Sequence, residues 1–149
     1  MTGKTVNTAK FEFSARSVNE SFARSAVAAF AAQADPSVGV IADIKTVVSE
    51  AVTNAIVHGY AGREDRAACT VYIHLRLTEN GVLFIRIKDK GCGIEDIGTA
   101  MQPLFTTDTE GERSGMGFTV MQSFTDGIKV RSALGKGTTV TLEKRLKGR

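Results

Sequence analysis

Apolar and polar residues alternate through Ala9-Lys10-Phe11-Glu12-Phe13-Ser14, the pattern of a short strand near a sheet edge. Alternation returns over residues 70–77 and 82–87, and two further strands are predicted over 127–132 and 138–142. Between the first two runs the period becomes helical. Val18, Phe22, Ala26, Ala29 and Phe30 predict one buried face, with Ser17 as N-cap and Glu20 completing a capping box. Arg24 lies on another face, where it reads as the i,i+4 partner of Glu20. Asp35-Pro36-Ser37 breaks the chain before a second helix, about 38–60, whose buried side carries Ile41, Ile44, Val48, Ala51, Val52 and Ala55. Glu50 and Asn54 stand roughly 100–150° from the middle of that side. They are neighbours on a polar flank. One turn later His58-Gly59-Tyr60 supplies a glycine where the helix should stop.

Turn chemistry fills the gaps. Glu79-Asn80-Gly81 signals a hairpin between the second and third strands. The third strand ends in Asp89-Lys90-Gly91-Cys92-Gly93-Ile94, which puts a carboxylate at a strand end, followed by two glycines that let a ligand approach the backbone. Such an Asp-x-Gly-x-Gly stretch also describes an ordinary surface turn. A helix-like piece over 95–101 precedes a polar, irregular segment over 102–113 that has the character of a lid. Ser114-Gly115-Met116-Gly117-Phe118 then opens an apolar run through Val120, Met121 and Phe124. Glycines at a helix start expose N–H groups and the positive end of the helix dipole to a phosphate, although a hinge uses them too. Gly135-Lys136 lacks the earlier glycine of a P-loop.

Composition narrows the classes further. With 149 residues, 42% hydrophobic and 23% charged, residues 1–149 are expected to form one domain with a sizeable core. The net charge is +3, yet Lys and Arg are scattered among acids except in the tail, 144–149, which reads as solvated. That distribution argues against a nucleic-acid partner. No apolar run approaches a bilayer span and the first residues lack a signal peptide's apolar core, so a cytoplasmic protein is expected. Cys69 and Cys92 have no metal or disulfide spacing and read as free thiols, and His74 reads as a solvated strand residue.

Glu50-x-x-x-Asn54 on a helix, Asp89-x-Gly91-x-Gly93, a lid ending in Gly115-Met116-Gly117, and Gly135-x-Gly137-Thr138-Thr139 together resemble the GHKL ATPases and kinases. The resemblance implies a Bergerat-type α+β two-layer sandwich, its mixed, mostly antiparallel sheet covered on one face by helices, binding ATP or ADP with Mg2+. Within that superfamily, residues 44–60, 102–107 and 112–118 resemble the anti-sigma serine kinases of endospore-forming bacteria. That implies a cytoplasmic homodimer, seamed near Phe11–Phe13. It would inhibit the sporulation sigma factor F and phosphorylate the anti-anti-sigma factor SpoIIAA, with no nucleic-acid or membrane partner. The implied roles are Glu50 as base, Asn54 as Mg2+ ligand and Asp89 as adenine acceptor, supported by the hydroxyl of Thr138. Gly91 and Gly93 would lie beside the base, with Thr106, Thr107, Arg113, Gly115, Met116 and Gly117 around the phosphates and Arg24 at a partner contact. A stress-response kinase of the same type, or a nucleotide-gated sigma-binding protein without kinase activity, shares most of this pattern.

Overall fold

The computed structural model describes residues 3–94 and 117–147. The helix-like piece over 95–101, the lid and the positions Thr106, Thr107, Arg113, Gly115 and Met116 therefore lie outside the described residues. Among the described residues five strands, β1 (Thr5–Ser14), β2 (Thr70–Thr78), β3 (Val82–Asp89), β4 (Gly127–Ala133) and β5 (Gly137–Arg145), form one sheet in the order β1-β2-β3-β5-β4. All four pairings among the described residues are antiparallel, so there the expected mixed, mostly antiparallel sheet is antiparallel throughout. Gly81, with φ of +79°, closes the predicted hairpin between β2 and β3 by donating its N–H to Thr78 O.

Helices α1 (Asn19–Ala32), α2 (Val38–Thr53) and α3 (Gly117–Ser123) supply the other side of the core. Ile44, Val47, Val48, Ala51 and Val52 of α2 share it with Val71, Ile73, Leu75, Ile85, Ile87, Val140 and Leu142 of the sheet. Fixed χ1 and full burial suit β-branched Val and Ile to this interface, and at about 1.5–3 kcal/mol per large side chain it dominates stability. Ser37 caps α2, its hydroxyl accepting from Val40 N–H at 3.2 Å. Among the described residues no helix is long and apolar enough to cross a membrane.

Two expectations for the first helix fail. The buried stripe of α1 is Ala23, Val27, Ala28 and Ala31, while Val18 is 68% and Phe22 52% exposed. Small side chains let α1 lie close to α2, and weighting the large residues picked the wrong stripe. Phe22 instead packs edge-on against Phe11 and Phe13 of the edge strand, with ring centroids 5.6 and 6.1 Å away. The capping box is also absent. The residue before α1, Val18, is already helical, the Ser17 carbonyl accepts from Glu20 N–H, and the Glu20 carboxylate accepts from Thr53 Oγ1 on α2.

A third expectation needs revision, because the helix over 38–60 is not uniform. After Thr53 it widens into a π-helical segment, Asn54–Gly59, in which Tyr60 N–H reaches back five residues to Ala55 O. The wider turn leaves Gly59 abutting the end of β3.

Candidate functional site

Three pieces of chain meet at the end of β3: the π-helical segment, the 89–94 turn and the β4–β5 hairpin. Asp89 lies on the helix side of the strand and is only 5% exposed. A Cβ on Gly59 would come within 2.8 Å of its carboxyl carbon, so glycine is required for the helix end to cover the acid. Gly91 N–H donates to Asp89 Oδ1 at 2.9 Å. Burial pushes the Asp89 pKa up to about 6, against the opposing pull of the Gly91 and Thr138 amides. The result is a nearly dry hydrogen-bond acceptor.

Tyr60 was missed by sequence reasoning. It is buried, its hydroxyl donates to Thr70 O at 2.6 Å and accepts from Lys90 N–H at 2.8 Å, and burial raises its pKa. One phenol thus ties the start of β2 to the residue after Asp89. An aromatic with a polar tip directly after the helix-stopping glycine was the available signal.

The turn's glycines answer first to chain packing. A Cβ on Gly91 would sit 1.8 Å from Gly59 O, and one on Gly93, at φ of +80°, would sit 2.2 Å from Ala133 O. Cys92 N–H donates to Gly59 O at 2.7 Å and Gly135 N–H to Cys92 O at 2.6 Å. The turn is clamped between the helix end and the hairpin. Thr138 faces Asp89 across β3 and β5, but its hydroxyl lies 2.8 Å from Ser132 Oγ. Ser132 Oγ also accepts from Ile94 N–H and donates to Gly137 O. The expected hydroxyl support for Asp89 is therefore replaced by the backbone amide of Thr138.

Glu50 lies in the last turn of α2 and Asn54 opens the π-helical segment, both half-buried. Asn54 N–H bonds the Glu50 and Ala51 carbonyls, and Arg66 donates to Ile56 O, holding the segment from its far side. A carboxylate and an amide oxygen one turn apart are hard donors, of the kind magnesium takes alongside water and phosphate oxygens. Among the described residues no group of three or more His, Cys, Asp or Glu could hold a metal, so an ion here would lean on a ligand's phosphates. Arg24 donates to Ser49 Oγ at 3.0 Å, bridging α1 to α2 beside Glu50. Gly117 begins α3, and Phe118 and Met121 pack into the core. Cys69 is buried and Cys92 exposed, both as free thiols. His74 is half-buried rather than solvated.

A helix-covered antiparallel sheet with a dry acceptor at a strand end and oxygen donors on the adjoining helix defines a nucleotide-using domain of the histidine kinase-like ATPase class. The model of that domain family matches residues 11–144, and the chain belongs to it. Within the family it belongs with the anti-sigma F factors. It is 53% identical to the anti-sigma F factor of Bacillus subtilis (strain 168) over 140 residues, which is 94% of this chain and 93% of that protein. The Halalkalibacterium halodurans anti-sigma F factor is 54% identical over the same shares. Among solved structures, the RsbU and RsbW domains of a Mycobacterium tuberculosis protein superpose with a TM-score of 0.68 at 21% identity, over 95% of this chain and 33% of that one. That likeness concerns the fold. The Erythrobacter litoralis blue-light activated histidine kinase gives 0.56 at 26% identity, over 75% of this chain and 32% of its own.

Proposed function

We propose that this protein inhibits the sporulation sigma factor F and, as an ATP-dependent serine kinase, phosphorylates the anti-anti-sigma factor SpoIIAA. The observation that carries the reading is the buried Asp89 acceptor, pressed by Gly59 against the helix that bears Glu50 and Asn54. Its relatives' name supports the sigma-factor half. In this reading Asp89 accepts the adenine amino group, a donor that offsets the cost of burying the carboxylate. Asn54 contributes an amide oxygen to Mg2+, which when bound neutralises phosphate charge. Glu50 orients the serine hydroxyl and takes its proton. Thr106, Thr107, Arg113, Gly115, Met116 and Gly117 are assigned to the phosphates on the motif alone.

Arg24, fixed to Ser49, is proposed to present its guanidinium to the protein partners from the α1–α2 face. A homodimer is proposed along the β1 edge, where Val6, Val18 and Phe22 are 58%, 68% and 52% exposed.

Purified protein, labelled ATP, magnesium and SpoIIAA test the kinase. Wild type is expected to label the partner's serine, and Glu50→Ala to lose about 10²–10⁴-fold in rate with ADP affinity kept. Absence of label with wild type, or equal loss of affinity and rate in the variant, contradicts the assignment. Arg24→Ala is expected to fail in a sigma-factor pull-down while binding nucleotide normally; an undiminished pull-down removes it from the interface.

A further inference from the structure

The sheet face turned away from the helices gathers charge that is dispersed along the chain. Strand register lines up Lys10, His74, Arg86, Thr141 and Lys129 in one row across all five strands, with no acid among them. In the adjacent row Lys88 and Arg131 accompany Glu12. Over β1, β2 and β3 this face dips into a cleft of about 410 Å3, where Lys10, Arg86, Lys88 and Lys90 converge and Glu12 is the one acid.

The cleft is built to donate hydrogen bonds. Arg86 Nη2 lies 2.7 Å from His74 Nδ1, and a guanidinium can only donate, so His74 accepts there and carries its proton on Nε2. Burial lowers the His74 pKa, and Arg86, Lys10 and Arg76 lower it further. The ammonium groups of Lys90 and Lys88 stand 5.0 and 6.0 Å from the Tyr72 ring, which keeps both chains folded over the cleft. Four cations against the single carboxylate of Glu12 leave a net positive cleft to which a further anion would be drawn.

We propose that this cleft binds a compact polyphosphate, as the free ion or as the phosphate chain of a small molecule, on the face of β3 opposite Asp89. Its volume suits a small ligand, and arginine with lysines around a concave floor suits phosphate oxygens. A second copy of the same face would bring like charges together. The site is independent of the nucleotide assignment at Asp89.

The test follows His74 and His58 by NMR while inorganic tripolyphosphate is added, with and without saturating ADP. Binding should raise the His74 pKa by about one unit or more, since a nearby anion favours imidazolium. It should leave His58 in place and be insensitive to ADP. Double reversal, Arg86→Glu with Lys88→Glu, should weaken tripolyphosphate at least tenfold while ADP affinity stays within twofold. Excess ATP added to the ADP-saturated protein should compete for the cleft if a triphosphate chain on a small molecule is the source, and fail if only free polyphosphate fits. No movement of His74, displacement by ADP, or unchanged affinity in the double variant overturns the proposal. So does a single-stranded oligonucleotide that binds far more tightly than tripolyphosphate, or a change of oligomeric state in the double variant. Those two results would assign the face to nucleic acid or to a second copy.

Discussion

On the helix side of β3, Ile85, Ile87 and Asp89 are buried; on the outer side Arg86 and Lys88 reach solvent. Alternate residues of one strand thus meet opposite environments. The lone carboxylate is held by backbone amides and pays in stability for its dry surroundings, as its raised pKa records. The crowd of cations outside is screened by water and salt and costs little individually. A buried acceptor is costly and exact in position, whereas a surface charge field is inexpensive and adjustable.

The sharpest way to break this comparison is to disturb the clamp on the helix side. Gly91→Ala places a Cβ 1.8 Å from Gly59 O, a backbone atom that cannot swing aside. We expect a loss of at least about 3 kcal/mol in urea unfolding and no measurable ADP binding. A well-folded variant that binds ADP normally would show that the clamp is dispensable.

Next comes pH. The Asp89 pKa is about 6 in the folded protein against an ordinary 3.8, so between these values the native state holds the proton more tightly. Its stabilisation is complete below pH 4 and lost above pH 6, an effect on the order of 3 kcal/mol. The difference in unfolding free energy between wild type and Asp89→Asn should therefore slope through this window. A flat difference curve would mean that Asp89 is not buried as described. The same substitution should weaken ATP and ADP together.

Tyr60→Phe is milder. It removes the partner of Lys90 N–H and of Thr70 O, worth about 1–2 kcal/mol in stability. Nucleotide affinity should fall roughly tenfold if that loss is felt at Asp89, with kcat at saturating ATP retained. A fall in kcat at unchanged affinity would place the phenol's effect elsewhere. The smallest change is expected on the outer face, where Lys88→Ala should keep Tm within about 2 °C in a thermal scan. A larger shift would show that the cation field helps hold the sheet.

Much of this architecture was legible from period alone. Strand alternation located β1, β2 and β3, because a half-buried sheet forces a period of two, and the Asn80-Gly81 signal located the hairpin. Ile44, Val48, Ala51 and Val52 were legible as core because β-branched residues and alanine repeat there without competing signals. The first helix was misread because its buried stripe is mostly alanine, while its most conspicuous residue, Phe22, serves the sheet edge. Asp89 was legible as an acceptor at a strand end. That it would be dry was not, since its cover comes from Gly59, thirty residues away.

By itself the sequence determined the alternation of elements, the strand-end acid with its glycines, and the Glu50–Asn54 spacing, since these depend on neighbours within a few residues. The tertiary structure decided what each of them faces. It widened the helix after Thr53, brought Tyr60 and Gly59 onto the Asp89 turn, and assembled Lys10, Arg86 and Lys129 into one row. Burial and electrostatic potential are sums over everything nearby in space, and chain order does not carry that sum.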